Sequence, residues 1–240
     1  MIGDMQHYHL PGFDEPVNSI SHLLAAVVFA VLGVLLVRRG RGCSVRVSFL
    51  VVYAVACVLM MSMSAVLHMM RTGTTAEAVM DRIDHGAIFI LIAGTFTAVH
   101  GVIFRGWFRW VPLICVWCIA LASLTVKTVF FESLPQSVGL TMYLLLGWGV
   151  SLTAIPILRR HGVRYVTPLF YGGAAYSIGA ILYANGWFTL IPGVVGSHEM
   201  WHIAVLIGAF SHWWFVWRAV GDQRVVQTAA VTPGARSAAA

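Results

Sequence analysis

Seven apolar blocks, near residues 19–37, 47–70, 84–104, 110–126, 138–158, 166–187 and 198–217, dominate the chain. A membrane-spanning helix needs about 20 mostly apolar residues, since roughly 30 Å of hydrocarbon is crossed at about 1.5 Å per residue. Each block meets that length, and each break carries a charge or a turn residue, as in RRGRG at 38–42 and FTLIPGVVG at 188–196. Composition agrees: 59% of the residues are hydrophobic and 10% charged, with a mean hydropathy of +0.84. These values exclude a water-soluble enzyme and a disordered chain, and the short alternating segments of a strand barrel are absent from the sequence. The expected fold is an all-α membrane protein, a seven-transmembrane-helix bundle over 19–217.

Short loops rich in Arg and Lys stay cytoplasmic. Twelve of the fifteen basic residues fall on one side of the predicted bundle, and the other side holds Arg71, Arg82 and Lys127. The N-terminal segment 1–18 is therefore expected outside and the tail 218–240, polar and broken by Pro and Gly, disordered in the cytoplasm. The net charge of +6 describes a rim beside anionic headgroups and gives no reason to expect nucleic acid as a partner. The first 18 residues lack the pattern of a cleaved signal peptide, so the first helix is expected to serve as its own insertion signal.

Four cysteines occur, at 43, 57, 115 and 118. Cys115 and Cys118 have the spacing of a redox or zinc pair, but they sit in mid-bilayer without a neighbouring cation, and packing is the expected role. The run YGGAAYSIGA at 171–180 is expected to make close helix contacts through small residues.

Ionisable groups inside membrane segments are costly and mark function. Ser64 and His68 stand at i and i+4 near the end of the second helix, Asp84 and His85 are expected to open the third, and His198 and His202 form another i, i+4 pair at the start of the seventh. Up-and-down topology brings all three helix ends to the outer face. Three neutral imidazoles are the protein ligand set of a catalytic zinc that keeps one position open for water. His68, His198 and His202 are thus the candidate metal ligands, Asp84 a ligand or the acceptor of a proton from the zinc's water, and Ser64 a hydrogen-bond donor to an oxyanion or a ligand.

The plain alternatives are packed, hydrogen-bonded histidines, or a structural ion that clamps three helices. His198 to His202 also spells HExxH, the zinc motif of metalloproteases with Glu199 as base, although no third-ligand motif follows it. Glu199 equally suits the N-terminus of its helix, where negative charge is favoured.

EPVNSISH at 15–22, SAVLH at 64–68, DRIDHGAIFILIAGTFT at 81–97 and SHEMWHIAVLIGAFSHWW at 197–214 resemble the successive signatures of the bacterial haemolysin III family, within the progestin and adipoQ receptor superfamily. The resemblance covers about residues 15–220. It implies a seven-helix fold in the cell membrane and a zinc held by His68, His198 and His202, with Asp84 beside its water and Ser64 as the family's serine. The superfamily also takes in alkaline ceramidases, which implies a lipid amide as substrate class. Two features depart from the pattern: the usual GTYTP reads GTFTA at 94–98, and the charge bias puts the N-terminus outside, opposite to the adiponectin-receptor branch. His22 and His212 resemble family positions and are expected to pack or to support the site.

Three functions compete. A zinc-dependent hydrolase of lipid amides or esters takes its substrate from the membrane lipids; a receptor or sensor uses the metal structurally; a lytic protein conducts. No polar stripe runs through any helix to line a conducting path.

Overall fold

The computed structural model describes residues 12–222, all of whose regular elements are helices: α1 Pro16–Arg39, α2 Ser44–Leu67, α3 Thr75–Ile103, α4 Trp107–Val129, α5 Gln136–Ser151, α6 Ala154–His161, α7 Val163–Ala184 and α8 Ser197–Gly221. Residues 1–11 and 223–240, with most of the expected outer segment and cytoplasmic tail, lie outside the described residues.

Among the described residues, six segments are long and apolar enough to cross a membrane: α1, α2, α3, α4, the α5–α6 pair taken together and α8. The α5–α6 pair was expected as one helix. It breaks at Leu152 and Thr153 because Pro156 has no N–H to donate and its ring crowds the carbonyl four residues earlier, that of Leu152. α7 coincides with the sixth of the seven expected blocks, but Gly172, Gly173 and Gly179 with Tyr171, Tyr176 and Tyr183 dilute its apolar character, and it does not join the six.

Two boundaries differ in ways that matter. α1 starts at Pro16, whose fixed φ and missing N–H suit the first turn of a helix, and not at 19. α3 starts at Thr75, so Asp84 and His85 sit nine and ten residues inside it instead of opening it. The cause is an N-cap that precedes the apolar block: Thr74 Oγ1 accepts from the Glu77 N–H at 3.2 Å, and the Gly73 N–H donates to Glu77 Oε2 at 3.3 Å. The altered GTFTA run leaves α3 unbroken, with the Thr95 and Thr97 hydroxyls donating to carbonyls one turn back at 2.8 and 2.7 Å.

The outward faces are as apolar as the core. Leu24, Val27 and Val31 of α1 are 62%, 59% and 56% exposed, a contiguous apolar surface that only lipid solvates without cost. Inside, small residues let helices approach: a Cβ built on Gly94 of α3 would lie 2.6 Å from Ala56 Cβ of α2, and one on Gly179 of α7 would lie 2.4 Å from Ala204 Cβ of α8. The second contact bears out the reading of the 171–180 run. The packing role expected of Cys115 and Cys118 is corrected. Both are exposed on the outer face of α4, and only Cys57 is buried.

Candidate metal centre

The site forms where the start of α1, the end of α2 and the start of α8 meet. His68 caps the C-terminus of α2, its N–H donating to the Ser64 carbonyl at 3.2 Å. The Glu15 N–H donates to the His68 carbonyl at 3.0 Å and fixes the entry of α1 beside that cap. Ser19 Oγ adds a bond to the Ala65 carbonyl at 3.0 Å. Across the bundle, Asn18 Nδ2 lies 2.7 Å from Glu15 Oε2 and 2.8 Å from Glu199 Oε1, so one amide ties α1 to α8.

Within this frame the three expected histidines come together. Their ligand atoms all lie within 4.8 Å of one another. His198 and His202 present Nε2 to Nε2 at 3.2 Å. Two nitrogens bound to one tetrahedral zinc at about 2.0–2.1 Å stand roughly 3.3 Å apart, so the observed separation suits a shared metal. His68 lies edge-on to both rings, with centroids 5.0 Å from His198 and 4.7 Å from His202. His68 spends Nδ1 on Glu15 Oε2 at 2.7 Å, which leaves Nε2 buried and without a hydrogen-bond partner. Such an orphaned buried acceptor is costly unless something binds it. The residues present therefore fit a metal ion.

The surroundings hold the rings in place. His22, 2% exposed, stacks on His202 with centroids 4.0 Å apart. Glu15 was not singled out from the sequence, yet its carboxylate contacts His68 and lies 3.9 Å from His198 Nδ1. Burial by itself raises this carboxyl; the hydrogen bond and charge of His68, the charge of His198 and the Asn18 bond outweigh it and hold the group down to about 2. An anionic carboxylate on the far nitrogen of a metal-binding imidazole fixes its tautomer and raises its basicity. The sequence signal for Glu15 was an acid immediately before the first apolar block, and Pro16 disguised it as loop punctuation.

Ser64 and Asp84 line the same cavity as the three rings. Ser64, 2% exposed, stands on α2 and Asp84 on the neighbouring α3. His85 turns to Asp81 one turn back, Nδ1 to Oδ1 at 2.9 Å, and is not one of the three grouped rings. Glu199 is held by Asn18 and by the Gly196 N–H at 2.7 Å, so both its oxygens serve the helix cap and the α1 tie. Those bonds give Glu199 a structural part in the site. His212 Nε2 lies 3.3 Å from the Leu169 carbonyl, further along the cavity.

The cavity has a volume of about 530 Å³ and reaches from the three histidines to Ile157 and Leu169. Most of its wall is apolar. Such a space suits a small amphiphile with its polar end at the histidine layer.

A family profile described as Haemolysin-III related matches residues 13–213. The chain is similar to Hemolysin-3 of Bacillus cereus, 28% identical over 198 residues that make up 82% of this chain and 87% of that protein. It is also similar to the Hemolysin-3 homolog of Bacillus subtilis (strain 168), 27% identical over 198 residues, 82% of this chain and 89% of that one.

Proposed function

The chain belongs to the haemolysin III family, and on that premise we propose that it is a seven-span membrane protein, N-terminus outside, whose His68, His198 and His202 bind zinc for the hydrolysis of a lipid amide or ester. The observation that carries this reading is the meeting of three imidazoles, with His68 Nε2 and His202 Nδ1 buried and unpartnered, in a largely apolar cavity that Ser64 and Asp84 also line. A zinc ion bound there supplies Lewis acidity and lowers the pKa of a bound water to about 7.

The chain's own residues do the rest. Asp84 takes a proton from the attacking water as the oxygen adds to the acyl carbon, and returns it to the leaving nitrogen or oxygen as that bond breaks. Products are a fatty acid and an amine or alcohol. Ser64 holds the carboxylate at the angle this transfer requires, and Glu15 keeps the His68 ring turned. Lipid enters sideways from the outer leaflet, so no aqueous channel is needed.

The test is metal content and fatty-acid release with detergent-purified protein. About one zinc per chain, lost in His202→Ala together with ceramide or phospholipid hydrolysis, is the expected result. Zinc present in full with no release from either lipid class would sink the hydrolase and leave a structural ion.

A further inference from the structure

Lys127, the only lysine in the chain, is read from the sequence as a residue of an outer loop. Instead it lies in the last turn of α4, is 4% exposed and lines the same cavity as the histidines. Its Nζ stands 4.2 Å above the centroid of the Phe131 ring. Among the described residues, no carboxylate comes within ion-pair distance of it. Acids around this end of the bundle are engaged elsewhere: Asp81 with His85 at 2.9 Å, Glu132 with Arg82 at 2.9 Å and Glu77 with the Gly73 N–H at 3.3 Å.

A buried ammonium with one aromatic face and no anion is an expensive arrangement in a membrane protein. Cation–π contact offsets part of that cost, and a bound anion offsets far more, through charge-assisted hydrogen bonds. The path beside it is long enough for an acyl chain. Cavity-lining positions run from Gln136 to Ser151 along α5, about 22 Å, against roughly 15 Å for one leaflet of hydrocarbon.

We propose that Lys127 is the anion-recognition residue of this cavity, which selects amphiphiles that carry an oxyanion, a phosphate or a carboxylate, at the polar end of a single acyl chain. The proposal deepens the lipid-hydrolase reading by naming a substrate or product class, and rests on that reading for the use of the cavity. Lys127 is a specificity determinant here; the hydrolytic step belongs to other residues.

Binding of radiolabelled 1-oleoyl lysophosphatidate to the full chain in detergent tests it, with oleate and 1-oleoyl glycerol as competitors. These three share one chain and differ in headgroup, so the phosphate and carboxylate sources of the anion are read separately. The neutral glyceride is expected to compete roughly tenfold or more weakly than the better anion, the effect of one charged hydrogen bond. Lys127→Gln should erase that difference and Lys127→Arg should keep most of it, which a purely structural lysine would not produce. Equal competition by all three in the wild type, a preference that survives Lys127→Gln, or no saturable binding at all overturns the proposal. His202→Ala separates the two readings: headgroup preference retained without metal or turnover supports the Lys127 assignment, whatever becomes of the hydrolase. Turnover without headgroup preference defeats the assignment alone.

Discussion

Glu15 offers the most exacting test of how the proposed metal centre is built. Its carboxylate meets His68 Nδ1 at 2.7 Å, with the two side chains 27% and 5% exposed, and its own N–H is anchored on the His68 carbonyl at 3.0 Å. Glu15→Gln keeps that anchor and keeps an oxygen to accept from His68, while it removes the charge. A hydrogen bond to a charged group contributes about 1.5–3 kcal/mol, and loss of such an outer partner typically weakens a metal site by about 10- to 100-fold, or roughly 1.4–2.7 kcal/mol. The two figures agree because they describe the same bond. Zinc affinity of Glu15→Gln should thus fall by about tenfold, and that of Glu15→Ala by close to a hundredfold. Competition against a chromophoric chelator in detergent measures both, with helicity by circular dichroism as the fold control. Zinc affinity within about threefold of wild type in Glu15→Ala, on a folded protein, would refute the claim that this carboxylate tunes the site.

Asp84→Asn is expected to keep zinc at about one per chain and to lose at least about a hundredfold in fatty-acid release, the usual share of a general base; equal losses of metal and rate would make it a ligand instead. Gly94→Ala places a methyl 2.6 Å from Ala56 Cβ, about 1 Å inside ordinary contact, so α2 and α3 must part. The expected cost is about 1–3 kcal/mol in detergent stability, with recovery in the Gly94→Ala, Ala56→Gly double variant; additive losses in the pair would show that the two positions do not touch. Cys43 is exposed between α1 and α2, while the other three thiols lie within helices. If the N-terminus is outside, intact cells should protect Cys43 from a membrane-impermeant maleimide and lysed cells should not; labelling of intact cells would reverse the orientation.

Much of the fold was legible because solvation by lipid is a local requirement. A helix in hydrocarbon must satisfy its own backbone and present apolar side chains for about 20 residues, so each of the blocks announces itself without reference to the others. The same locality explains the two i, i+4 pairs, Ser64 with His68 and His198 with His202, whose spacing alone puts each pair on one face. The early start of α3 is also written locally, in the Thr74 and Glu77 capping pair, but to hydropathy alone a polar helical turn looks like a loop.

Other features were beyond any local reading. The Glu15 bond to His68, the Asn18 bond to Glu199 and the stacking of His22 on His202 link residues 53, 181 and 180 positions apart. Pattern could assign those residues to helix ends, but not choose their partners, since the outer layer holds several polar groups at similar depth. Lys127 shows the limit most clearly. Its charge marked it for a loop, yet the last turn of α4 carries it into the cavity wall, against Phe131. By itself the sequence determined which segments lie in lipid and which polar residues share a helix face, because those follow from solvent and periodicity. Only the tertiary structure decided which faces meet, and therefore that three imidazoles, an aspartate and a buried ammonium open onto one cavity, because helix against helix is settled by close packing between distant parts of the chain.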